Sequence, residues 1–206
     1  MEHKLRVLAL ALMALMATGA MTASAASAGQ FTAESYPATI TGTQLSGHEF
    51  GFFGYTITCN KASLDAPLGA AATSLTVSAS YKECSSSEGG EVTVKMTSCD
   101  YVFNAGNELD ATMDVKCGAG GTIDFEDLET GCSVEILPQG TLSTLTYTNH
   151  PEAKDFDVDI KVGPAIKYEQ DAQCPGGAGF YFNGTYKGQS TMTADHEGAG
   201  TGVTVD

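Results

Sequence analysis

Tryptophan is absent from the 206 residues, arginine occurs once, as Arg6, and proline only six times. Basic side chains number 10 against 25 acidic ones, a formal net charge of −15. Recognition of phosphates and bases relies on arginine's planar fork and a positive field, so a chain this acidic is repelled by a polyanion. Nucleic acid and anionic membrane surfaces are thereby excluded as partners. An apolar fraction of 42% with little proline excludes a disordered or proline-rich tract. Missing tryptophan removes the largest stacking surface from any sugar-binding face. Catalytic signatures are missing too. No G-x-S-x-G elbow and no C-x-x-C pair occurs, and His48-Glu49 is followed at position 52 by Phe where a zinc-binding helix requires His. Catalytic residues and cofactors are therefore expected to be none.

Long apolar runs are confined to the start. Lys4 and Arg6 precede an uninterrupted apolar stretch over residues 7–16, and Ala26-Ser27-Ala28 supplies the small residues a signal peptidase accepts. The expectation is a secretory signal over 1–28 and a single mature domain over 29–206. Cleavage after Ala25, or retention of the segment as an anchor, are the alternatives. No cysteine lies near the cleavage site for lipid attachment, and the end of the chain is polar, so a secreted, extracellular protein is expected. Residues 29–206 carry 8 lysines against 24 carboxylates.

Six cysteines, an even number in a chain bound for an oxidising compartment, predict three disulfides. Cys84 to Cys99 and Cys117 to Cys132 each enclose 14 residues, which suggests those two bridges and leaves Cys59 with Cys174. A zinc site would need close cysteine pairs or histidines at short spacing, and neither occurs. At an offset of 33, Tyr81–Phe103 and Asp114–Ile136 share a cysteine, a glycine-rich turn and alternating residues, a pattern that suits either a duplicated unit or two ordinary hairpins.

Beyond residue 31 apolar residues alternate rather than recur at helical spacing. Leu75, Val77, Ala79 and Tyr81 share one face, as do Val92, Val94 and Met96; Leu109, Ala111, Met113 and Val115; and Phe156, Val158, Ile160 and Val162. About ten short one-sided strands predict an all-β, antiparallel β-sandwich stabilised by disulfides.

Candidate sites follow from the polar residues. The loop carboxylates Asp124, Glu126, Asp127 and Glu129, together with Asn104, Asn107 and Asp110, are calcium candidates without the spacing of an EF-hand. Asp155, Asp157 and Asp159 lie on one strand face, too far apart to share an ion, and suit an edge strand that resists pairing. His48, His150 and His196 sit in polar, turn-like contexts and are expected to be exposed. Two aromatic clusters, Phe50/Phe52/Phe53/Tyr55 and Phe180/Tyr181/Phe182/Tyr186, contain the ligand-binding candidates Tyr181 and Tyr186. Asn183-Gly184 between the aromatic runs reads as a two-residue hairpin turn, and Asn183-Gly184-Thr185 is formally a glycosylation sequon.

Tyr81-x-x-Cys84-x14-Cys99-x-Tyr101, followed by Cys117-x14-Cys132-Ser133-Val134-Glu135-Ile136 and Cys174 before a Gly- and Tyr-rich end, resembles a group of secreted bacterial proteins of unknown function. The resemblance implies an exported β-rich domain and carries no activity or site residues. The expected function is a non-catalytic extracellular binding or structural module. Its partner would be a cell-wall glycan or another envelope protein. The alternatives are a secreted glycan hydrolase using an acidic pair, and a cell-envelope assembly or adhesion protein. Mass spectrometry of the exported protein should give a chain beginning at Gly29 and free of thiols; a retained leader or reduced cysteines would contradict this compartment assignment.

Overall fold

Period-two alternation governs the folded chain, but over strands far longer than the sequence suggests. The computed structural model describes residues 29–106 and 111–206. The expected signal segment and two of the calcium candidates, Asn107 and Asp110, lie outside the described residues. The strands are β1 (Phe31–Ala33), β2 (Ala38–Phe52), β3 (Tyr55–Leu68), β4 (Ser74–Ser86), β5 (Glu91–Asn104), β6 (Thr112–Asp127) and β7 (Ser133–Ile136), then β8 (Gln139–Leu142), β9 (Leu145–His150), β10 (Asp155–Gln170), β11 (Gly179–His196), β12 (Ala199–Thr201) and β13 (Val203–Val205). Asn183 and Gly184 therefore lie inside β11 rather than in a hairpin turn.

β2 through β7 form an antiparallel meander, β10 follows β7, and β11 pairs with both β10 and β2. The result is an eight-stranded closed barrel, which corrects the expected sandwich. Alternation reveals which side of a strand is buried; it carries no information on whether the first and last strands meet. Here they do, because β11 runs beside β2 from Thr185↔Gly51 to Asp195↔Thr39. Phe50, Phe103, Phe125, Phe156, Tyr168 and Tyr186 fill the interior with at most 1% exposure. Outward positions carry Thr39, Thr41, Asp65, Thr76, Lys95 and Lys161, the reverse of a membrane-spanning barrel, whose apolar residues face lipid.

The long strands are interrupted partway. β2 and β3 lose register between Thr43↔Ser63 and His48↔Cys59, β5 and β6 between Thr97↔Thr122 and Cys99↔Cys117, and β10 and β11 between Val162↔Tyr186 and Ile166↔Gly184. β4 and β5 part between Val77↔Tyr101 and Cys84↔Val92. Bulges sharpen strand twist and bend the strand, which helps a sheet of 13- to 18-residue strands curl far enough to close.

The disulfides are Cys59–Cys84, Cys99–Cys117 and Cys132–Cys174, which corrects the pairing expected from equal loop lengths. Each joins consecutive cysteines in the chain. Cys59 and Cys84 are directly opposed across β3 and β4, and Cys99 and Cys117 across β5 and β6. All four sit beside a break in the ladder: Cys84 follows Glu83 and Cys99 follows Ser98, both with left-handed backbone (φ 53° and 52°), while Cys59 and Cys117 are the last residues before the unpaired segments of β3 and β6. Cys99–Cys117 spans the register break between β5 and β6, whereas Cys59–Cys84 lies in an unbroken β3–β4 register, beside the breaks those strands have with β2 and β5. The segments compared at an offset of 33 are the consecutive hairpins β4–β5 and β6–β7.

One end of the barrel is closed by β1 and β13, a separate two-stranded sheet. Phe31 of β1 is fully buried and meets Tyr147 edge-on at 5.4 Å and Phe156 at 6.1 Å. β10 is paired on both sides, by β9 and β11, so it is no edge strand. Its aspartates are held locally, Asp155 by His150 at 2.8 Å and Asp157 by the Thr191 hydroxyl at 2.7 Å.

Non-reducing peptide mapping should recover the pairs 59–84, 99–117 and 132–174. Removing the 99–117 bridge with a double Cys→Ser variant should cost about 3 kcal/mol in chemical denaturation, from the chain entropy its loop restrains. A peptide joining Cys84 to Cys99 would refute the barrel register.

Candidate functional site

Polar groups enter the barrel interior at only a few inward positions. His48 follows the alternation of Phe50 and Phe52 on β2, so its ring points inward and is fully buried, not exposed as its turn-like context suggests. The room is made by Gly188, where a Cβ would lie 2.5 Å from the imidazole. His48 Nδ1 is 2.7 Å from the Tyr186 hydroxyl and Nε2 is 3.2 Å from Ser190 Oγ. The Tyr186 hydroxyl continues to Tyr81 at 2.8 Å, and Tyr81 donates to Tyr101 at 3.2 Å. Burial holds the His48 imidazole down to about 4 and pushes the Tyr81, Tyr101 and Tyr186 phenols up. Tyr186 is 1% exposed and stacks on Phe50 at 4.4 Å. It presents no face to a ligand, which corrects its place among the binding candidates. The network is closed on itself and holds the core in one arrangement.

Asp127 is the other buried ionisable group. Its Oδ2 accepts from the Tyr55 hydroxyl at 2.6 Å, and its Oδ1 from the backbone N–H groups of Glu129 and Thr130 at 2.9 and 3.0 Å. Burial alone would raise this carboxyl, but those donors together with the Ser86 hydroxyl hold it well below the usual carboxylate range. Oδ1 closes the 127–132 turn and Oδ2 ties it to Tyr55 of β3. Glu126 faces outward toward Lys95 at 3.7 Å, Asp124 accepts from Thr97 and Thr122, and Glu129 is exposed. The four calcium candidates do not converge: Asp124 and Glu126 face outward on β6 toward different partners, Asp127 faces inward, and Glu129 lies beyond the strand. Asn104 hydrogen-bonds to Thr112 instead. Among the described residues one group of three ligand-type side chains lies close together, Cys132, Asp171 and Cys174, and there the two sulfurs are bonded to each other.

The aromatic residues near the start of β11 behave differently from those of the core. Phe180 is 62% and Phe182 65% exposed, and Phe53, in the β2–β3 turn, is 49% exposed. Tyr181, between Phe180 and Phe182 in sequence, turns to the other side of the strand, 5.8 Å from the Phe53 ring and stacked on buried Tyr168 at 5.4 Å. Its hydroxyl donates to Gly176 O and Gly177 O at 2.9 and 3.2 Å. Gln170 Nε2 donates to Pro175 O and Gly177 O, and Cys174 is tied to Cys132, so the loop beneath these rings is held from three directions. Gly176 has φ +91° and lies against the Phe53 ring, where a Cβ would come within 2.6 Å. Of the two tyrosine candidates, Tyr181 is therefore the one at the surface. Phe53 and Phe182 are surface residues that alternation does not single out, since it marks apolar side chains as inward.

Beside Phe180 the outer face is acidic. Asp124 stands opposite Glu135, Glu135 opposite Glu169, and Glu169 opposite Phe180, along one row across β6, β7, β10 and β11. Glu135 and Glu169 border a hollow of about 290 Å³ with Ser133, Gln170 and Asp171. The two glutamates are exposed to water, whereas a glycosidase pair works in a cleft that takes the sugar between its carboxylates. No family model, curated protein or solved structure matches this chain.

The two buried ionisable groups titrate in separate windows. His48 is neutral when folded, so its contribution to stability is complete above its ordinary value of 6.5 and is lost as the pH falls toward 4. That interval corresponds to about 3 kcal/mol. The Asp127 contribution is complete above 3.8 and is lost only at lower pH. Urea unfolding across pH 7 to 4 should show this decline, and His48→Asn should flatten it while leaving the loss below pH 4. A decline that persists unchanged in the variant would exclude His48 as its source.

Proposed function

We propose that the protein is an exported, non-catalytic binding module that meets a cell-wall glycan through the aromatic end of its barrel. Three disulfides are the mark of an oxidising, extracellular-type environment, and the signal expected over residues 1–28 fits delivery to it. The interior is filled by side chains, so a ligand has to be met on the outer surface. The observation that carries the reading is that Phe53, Phe180 and Phe182, gathered at one end of the barrel, are three of the six large apolar side chains exposed among the described residues. Large rings kept in water, each forgoing roughly 2 kcal/mol of burial, mark a contact surface. Their scaffold is anchored by a disulfide and several hydrogen bonds, so little freedom is lost on binding. Sugar rings present apolar C–H faces to such aromatic groups and hydroxyls to neighbours such as Asn183 and Glu169.

The same rings suit an envelope protein, and residues 179–183 extend beyond the end of β2, leaving that side of β11 without a neighbouring strand. Co-sedimentation of the purified oxidised protein with insoluble wall polysaccharide distinguishes the two partners. The glycan reading expects binding that a Phe180→Ala/Phe182→Ala double variant weakens by about tenfold or more with its thermal midpoint unchanged. Failure to sediment with the polysaccharide, or sedimentation indifferent to both rings, would defeat it.

A further inference from the structure

Three neighbouring strands carry hydroxyls in register on the outer face. Thr43 of β2 stands opposite Ser63 of β3, and Ser63 opposite Ser80 of β4. Adjacent strands put such side chains about 4.8 Å apart. One outward step along the same ladder Lys61 stands opposite Lys82. Beyond Thr43, β2 leaves the β3 ladder until His48, and the wall there opens into a cleft of about 400 Å³ whose polar lining Gln44 and Asn60 complete.

The charges in this cleft run against the rest of the molecule. In a chain with 25 carboxylates, no carboxylate lines it. Two ammonium groups on opposed residues repel each other. Glu83 neutralises Lys61, whereas Lys82 has no carboxylate within ion-pair distance among the described residues. Gln44 Nε2 donates to Cys59 O at 3.4 Å, while its Oε1 is buried without a partner. An acceptor in that state gains when a small rearrangement brings it a donor. The lining therefore asks for one negative charge accompanied by several hydroxyls.

We propose that this cleft binds an acidic sugar residue, its carboxylate on Lys82 and its hydroxyls on the Thr43, Ser63 and Ser80 row. The volume is that of a small-molecule site. A net charge of −15 repels a polyanion, so a single acidic residue is favoured over a densely charged polymer. The site is built from different strands than the aromatic end and stands or falls separately from it.

The test is an NMR titration of the disulfide-bonded protein with D-glucuronate, using D-glucose and acetate as the uncharged and unhydroxylated counterparts. Glucuronate should give saturable shifts confined to residues 43–44, 60–63 and 80–82, with both counterparts binding about tenfold more weakly. Lys82→Gln should weaken glucuronate binding by about tenfold, the worth of one charge-assisted hydrogen bond. Ser63→Ala/Ser80→Ala should erase the preference over acetate. All three substituted side chains are exposed, so an unchanged thermal midpoint verifies the fold. Absence of saturable shifts at these residues, equal binding of acetate, or indifference to Lys82→Gln would each overturn the proposal.

Discussion

The pairing of β11 with β2 is the constraint on which the rest of the molecule depends. A meander of antiparallel strands has two open edges, each with unpaired N–H and C=O groups that invite association. Joining the last long strand to the first pairs the meander's two edges from Thr185↔Gly51 to Asp195↔Thr39 and encloses one interior instead of two facing layers. Eight strands leave a bore that side chains just fill. Phe50, Phe125 and Tyr186 meet there at ring separations of 4.4 to 4.8 Å, so no lumen remains for a ligand. Closure therefore moves any binding to the outer wall and the ends of the barrel.

Closure also explains the bulges and the cysteines. A long flat strand does not curl tightly enough to return on itself, and each bulge supplies a bend by giving up ladder hydrogen bonds. A break in the ladder is where register can slip, and a slip of one residue would turn an inward row to water. Cys99–Cys117 fixes register at such a break, and Cys59–Cys84 clamps the continuous β3–β4 pair between the β2–β3 and β4–β5 breaks, each on a pair of directly opposed residues. Their value lies in placement as much as in the chain entropy they remove.

Bulges are likewise the reason the sequence reads as many short strands. In β3 the buried residues are Tyr55, Ile57 and Cys59, then Leu64, Ala66 and Leu68, so the inward parity changes from odd to even across residues 60–62. In β5 it changes from Val92 to Cys99, Tyr101 and Phe103. A pattern that shifts phase looks like two strands with a turn between them, although the chain runs straight through. The all-β class and the three disulfides are legible because alternation and cysteine count are local. Connectivity is not, because equal spacing along the chain says nothing about which strands become neighbours. The polar flanks of His48 mask its burial, and the alternation it shares with Phe50 and Phe52 is the signal that places it inside. Asp127 has the same parity as Ile123 and Phe125, and that parity alone separates it from Asp124 and Glu126.

Polarity is distributed so that stability and recognition draw on different residues. The buried groups that ionise, His48 and Asp127, are saturated by tyrosine, serine and backbone partners and have nothing left to offer a ligand. Groups with unspent capacity lie on the outer wall: the exposed rings at the start of β11, the row of glutamates beside them, and the lysine-lined cleft across β2, β3 and β4. An exterior substitution leaves the interior rows untouched, since adjacent residues of a strand face opposite sides of the wall. A formal charge of −15 makes copies of the chain repel one another. Against that field the cleft stands apart: Lys61 is paired with Glu83, and Lys82 beside it has no carboxylate partner among the described residues.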